Sequence, residues 1–141
     1  MPPLREQFEG REFDWFAVDV EGNLAHFSTA GDGPVPLSVL EHFVDADSIS
    51  EVLLSLPEAG EAIGHLPHNI EDWLQMARRG IYSYDWKQSS GPDRRAATPE
   101  KPIHVSAQPQ QLQTSLAIAR FHTANFSQLQ DFHPQSECAC G

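Results

Sequence analysis

Basic side chains are scarce in this 141-residue chain: nine Lys and Arg stand against 20 Asp and Glu, for a formal net charge of −11. A surface of that sign repels phosphate backbones and anionic lipid, which weighs against nucleic-acid and membrane-surface binding. Long apolar runs are missing as well, and none approaches the roughly 20 residues that a bilayer-spanning helix needs. The two cysteines, Cys138 and Cys140, are separated by a single residue and cannot staple a fold together. The opening Met1-Pro2-Pro3-Leu4-Arg5-Glu6 lacks the apolar stretch of a secretory signal, so a cytoplasmic protein is expected. There is no Walker-type glycine loop, dinucleotide fingerprint, His-Glu-x-x-His pair or Gly-x-Ser-x-Gly elbow, although many enzymes carry no short motif. The length suits one soluble domain, expected over residues 1–124, with residues 125–141 as a loosely ordered tail.

The charge that is present is unevenly spread. Residues 1–72 hold 15 acidic and 2 basic side chains, and residues 73–141 hold 5 acidic and 7 basic, so nets of −13 and +2 make up the total. Acidic surface elements that favour solubility account for this. So does an electronegative face built to meet a basic partner.

Periodicity places the elements. Phe16, Val18 and Val20 alternate with Ala17, Asp19 and Glu21, and after Gly22-Asn23 the residues Ala25 and Phe27 alternate with His26 and Ser28. Gly supplies the positive φ of a tight turn, so a hairpin is predicted, with the first set inside and Asp19 and His26 on the other face. Two capping boxes, Ser38 with Glu41 and Ser48 with Glu51, start short helices, and Ile49, Val52, Leu53 and Leu56 have amphipathic spacing up to Pro57. Residues 58–68 read as a loop. A helix then runs from a cap at Asn69, through Glu71 and Asp72 in its first turn, to Arg78, Arg79 and a terminating Gly80; each charge complements the helix dipole. Ile81 to Trp86 alternates as a strand, Arg94 to Thr98 is its return, Pro102 to Val105 is extended, and a helix covers about Pro109 to Ala117. The resulting class is α+β, with antiparallel hairpins packed against several short helices.

Five groups of residues suggest chemistry. Asp19 and His26 on one hairpin face suit an oriented general base, but no serine or cysteine stands in a recognisable nucleophile context, and a solvent-facing ion pair explains them more simply. Asp19-Val20-Glu21-Gly22-Asn23 has the flavour of a calcium loop, yet its twelfth position holds Ala30 where a bidentate glutamate is needed. Cys138 and Cys140 with His133 and His122 supply four soft ligands in a spacing unlike the common zinc motifs, and His65 and His68 make only a two-ligand fragment. Tyr82, Tyr84 and Trp86 form either a stacking platform or a core face; the net charge favours the core. No cofactor or metal is expected.

The stretch Phe13-Asp14-Trp15-Phe16-Ala17-Val18-Asp19, the turn Gly22-Asn23 and Ala25-His26-Phe27-Ser28-Thr29-Ala30-Gly31 resemble the opening hairpin of small acidic bacterial proteins. Ala77-Arg78-Arg79-Gly80-Ile81-Tyr82-Ser83-Tyr84-Asp85-Trp86, followed by Ala97, Pro99 and Pro102, is similar to their second block. The two blocks cover about a quarter of the chain. Proteins of this style are often encoded beside secreted polymorphic toxins, and the resemblance implies an immunity protein; it carries over no catalytic residue. The expected function is therefore non-enzymatic: binding and neutralising a toxin domain, with acidity mildly favouring a basic nuclease as the target. The expected contact acids are Asp19, Glu21, Glu41, Asp45, Asp47 and Asp85. A small hydrolase or metal-dependent enzyme using Asp19, His26 and the His/Cys tail is the alternative, and an adaptor subunit of a larger assembly is a third.

Overall fold

The first hairpin is built around a longer turn than its sequence suggests. The computed structural model describes residues 14–28, 37–67, 69–86, 93–122 and 124–132. Strand β1 (Asp14–Val18) pairs antiparallel with β2 (Leu24–Ser28), with Phe16 opposite His26 and Val18 opposite Leu24. Five residues, 19–23, connect them in place of a two-residue Gly22-Asn23 loop. The reason is the Asp19 carboxylate, whose Oδ1 accepts from the backbone N–H of Glu21 (2.9 Å) and Asn23 (2.8 Å) in an Asx-type turn. Gly22 takes the positive φ of +86° that the turn requires.

Three extra loop residues are an odd number, and an odd shift exchanges the faces of one strand relative to the other. Phe16, Val18 and Leu24 thus share one face with His26, while Trp15, Ala17, Ala25 and Phe27 share the opposite one. Both faces are buried, so the expected division into an apolar face and a polar face is corrected. Val20, predicted to lie inside, sits in the turn and is 57 % exposed.

The hairpin is one end of an open, mixed sheet of six strands. β2 runs parallel to β4 (Tyr82–Trp86), which pairs antiparallel with β5 (Asp93–Pro99). The far edge of β5 carries β3 (Ala62–Gly64) at its C-terminal end and β6 (Asp131–Phe132) at its start. The α+β class is as expected, but the sheet is not purely antiparallel. A parallel pair needs a long crossover, and helices α1 (Leu37–Glu41), α2 (Phe43–Leu54) and α3 (Glu71–Arg78) lie in the one between β2 and β4. β3 lies in the segment read as a loop; with Gly60, Gly64 and Pro67 nearby its three residues carry no usable alternation. A single 3₁₀ turn (Val105–Ala107) and α4 (Gln110–Leu116) follow β5.

Two cores result. On one face Phe16, Val18 and Leu24 meet Ile49 and Leu53 of α2, Met76 of α3, and Leu112 and Leu116 of α4. On the other, Trp15, Phe27 and Tyr84 stack in a row, with ring centroids 4.2 Å and 5.1 Å apart, and Phe121 and Phe126 approach them edge-on or tilted. Each such ring withdrawn from water contributes roughly 1.5–3 kcal/mol. The participation of Phe126 corrects the tail boundary, because the chain from Ala124 to Phe132 is packed and paired where a loose tail was expected. Residues 133–141 lie outside the described residues.

Candidate functional site

Two polar constellations sit on opposite faces of the sheet. The first is centred on Phe126. Asp19 is only 3 % exposed, and its second oxygen accepts from Asn23 Nδ2 (3.2 Å) and from the backbone N–H of Phe126 (2.8 Å). With both oxygens filled by N–H donors, Asp19 has no capacity for a calcium ion, nor is it a surface acid. Its expected role as a contact residue is corrected: a carboxylate at this corner is needed to close the turn and to hold the returning chain.

The other end of the same residue is held by a cation. Arg95 of β5 is 5 % exposed, and its Nη2 donates to the carbonyls of Phe126 and Leu129. The guanidinium lies 5.3 Å from the Tyr82 ring centroid and 5.9 Å from that of Tyr84, within cation–π range. It forms no ion pair among the described residues. Tyr84 Oη donates to Leu129 O at 2.6 Å. Burial pushes the Tyr84 phenol up to about 12, against the opposing pull of Arg95. The Phe126 backbone is therefore held from both sides, by the Asp19 carboxylate at its N–H and the Arg95 guanidinium at its C=O.

The second constellation lies under the helices. His26 Nδ1 is 2.7 Å from Ser83 Oγ across the parallel β2–β4 pair, and Nε2 is 3.1 Å from Asp14 Oδ2, off the line of a hydrogen bond. Beside it Trp73 Nε1 donates to Ser28 Oγ (3.2 Å), and Ser28 Oγ donates to Asp85 Oδ1 (3.1 Å). The expected Asp19–His26 pairing is not formed, since the shifted register gives His26 to Asp14. The order Ser–His–Asp is that of a nucleophile and its base. Ser83 is 0 % exposed, however, and a substrate carbonyl has no approach to its hydroxyl in this packing.

The remaining expected contact acids are on separate elements. Glu21 is exposed on the hairpin turn, where His104 Nε2 lies 2.7 Å from its carbonyl oxygen. Glu41 is exposed at the end of α1. Asp45 and Asp47 belong to the backbone of α2, and their side chains lie outside the described residues. Asp85 is half-buried and engaged by Ser28. Among the described residues no group of three His, Cys, Asp or Glu side chains can hold a metal; Cys138, Cys140, His133, His68 and Ala30 lie outside them.

One carboxyl was invisible to sequence reasoning. Asp93, first in β5, is 1 % exposed, and its Oδ2 has no hydrogen-bond partner. Burial, and secondly the charge of Asp85, push it up to about 8. Nothing in Gly91-Pro92-Asp93-Arg94-Arg95 distinguishes this aspartate from a turn residue, or Arg95 from its exposed neighbour Arg94. Among the described residues no helix is long and apolar enough to cross a membrane. Comparison of the chain with protein-family models, curated proteins and solved structures finds no match.

Proposed function

We propose that this protein is a non-enzymatic immunity or inhibitor protein, which binds a basic toxin domain through its acidic face and blocks it. The supporting observation is a surface of acids without counter-ions. No Lys or Arg occurs between Arg11 and Arg78. Glu21, Glu41, Glu51, Glu61 and Asp72 are exposed and make no ion pair among the described residues. Among the described residues Glu71 and Glu58 find basic partners in Arg78 (2.8 Å) and Arg79 (3.9 Å), and Asp14 lies by His26. Uncompensated charge of one sign is of little use to stability, but it steers a cationic partner and rejects anionic ones. A nuclease, whose own surface must attract phosphate, is the partner class that this complementarity suits best. The contact acids are Glu21 and Glu41, with Asp45 and Asp47 of α2; Asp19 is withdrawn from this set because it is buried, and Asp85 because it is half-buried and engaged by Ser28.

The test is affinity capture on the full chain from lysate of the native organism, washed at low and high salt. The expected result is one basic protein, released by salt, whose toxicity on expression is relieved by co-expression of this chain. Combined reversal of Glu21, Glu41, Asp45 and Asp47 to Lys should abolish both capture and relief. Undiminished relief by that folded variant would show that the acidic face is not the contact surface.

A further inference from the structure

We infer that Asp93 is a pH-operated latch for the C-terminal strand: ionisation of its carboxyl releases β6 from the edge of β5, while the Phe126 anchor stays seated. The carboxyl is buried, on a residue whose backbone partners are Trp86 in β4 and Phe132 in β6. Its Oδ2 is buried without a partner, which a neutral acid tolerates and a carboxylate does not. Among the described residues it forms no ion pair. Arg94 is exposed opposite Asp85 and Asp131 in the register. Arg95, two residues along the strand, is committed to Phe126, Leu129 and Thr98. Of the acids on adjoining strands, Asp85 of β4 opposes ionisation, while Asp131 of β6 is exposed and opposite Arg94 in the register. The position of Asp93 near 8 reflects this burial.

An ionised Asp93 must therefore reach water, and the cover that yields is the smallest element around it. β6 has two residues, paired as Asp93 with Phe132 and Arg94 with Asp131. Upstream, Phe126 and Leu129 are tied by Asp19, Tyr84 and Arg95. The hinge thus falls at Gln130, whose carbonyl accepts from Arg95 N at 2.7 Å. Because the open state restores an ordinary carboxyl, the opening equilibrium rises about tenfold per pH unit from roughly pH 4 up to the closed-state value, then levels off. The strand is closed in acid and released in base.

Amide hydrogen exchange on the full chain tests this, read as protection factors so that the chemical dependence on pH is divided out. Protection at residues 131–132 should fall about tenfold per unit and level off near pH 8, with the Phe126 amide unaffected. Asp93→Asn should give a flat profile, and Asp131→Asn should keep the slope. A flat wild-type profile, a slope retained in Asp93→Asn or lost in Asp131→Asn, or parallel loss at Phe126 would overturn the proposal. NMR of the Asp93 carboxyl carbon in the unmodified chain needs no variant: titration in the ordinary carboxylate range would overturn it too.

Discussion

Replacing Asp19 by Asn separates a structural carboxylate from a surface acid. The two oxygens accept four hydrogen bonds, two each, all from N–H donors. An asparagine fits the space but presents one oxygen and one NH₂ group, so in either orientation a donor faces two donors. If the NH₂ turns towards Phe126, the clamp on that residue is lost; if it turns the other way, the hairpin turn is. Hydrogen bonds to a charged acceptor are worth about 1.5–3 kcal/mol each, and a buried donor left unmatched costs a similar amount. Two lost bonds predict a destabilisation of about 3–5 kcal/mol, a large part of the roughly 5–15 kcal/mol that holds an ordinary domain together. Urea unfolding at neutral pH should show a lower midpoint with an unchanged slope. The Phe126 amide should lose protection before the β1–β2 ladder does. A loss within about 0.5 kcal/mol, the usual range for an exposed position, would refute the reasoning and return Asp19 to the surface acids.

Gly22→Ala should cost more than about 2 kcal/mol in thermal or urea unfolding, since it adds positive-φ strain to a β-carbon that falls on the His104 ring. Gly22→Ala combined with His104→Ala should recover the clash but not the strain, a non-additivity that a double-mutant cycle detects. Tyr84→Phe should cost about 1 kcal/mol for the lost bond to Leu129, seen as a lower midpoint without loss of partner capture. Tyr84 is raised to about 12 from 10, so the stability it lends is complete below pH 10 and is lost as pH climbs from 10 through 12. That loss reaches up to about 3 kcal/mol, followed by alkaline unfolding alongside tyrosinate absorbance.

The parts of this fold that were legible are those whose signal is local. Glu71, Asp72, Arg78 and Gly80 mark α3 because capping and dipole effects act within one turn, and Gly80 does take a φ of +92°. Tyr82 and Tyr84 are buried as their alternation implied. The hairpin was found, but its register was not, because a single side chain, Asp19, sets the turn length through bonds that no periodicity reveals. The parallel pairing of β2 with β4 and the seating of Phe126 depend on contacts between distant segments. Within the candidate site the exposure of Glu21 and Glu41 was readable from charge, whereas Asp93 and Arg95 resemble surface residues until their neighbours are placed. Ser83 and His26 meet through the parallel register of β2 with β4, a pairing between segments 57 residues apart that no local pattern announces.

The double hold on Phe126 also sets the order in which the molecule can form. Its N–H is tied to Asp19, 107 residues earlier, and its carbonyl to Arg95, 31 residues earlier, while His26 and Ser83 join strands 57 residues apart. Contacts of such separation demand loop closure before they reward it, which slows folding and prolongs exposure of the intermediate. Trp15, Phe27 and Tyr84 are all made before the residue that seals their row. A growing chain therefore carries an uncovered aromatic strip until Phe126 is available, and truncation just ahead of it should yield a sticky, unfinished sheet.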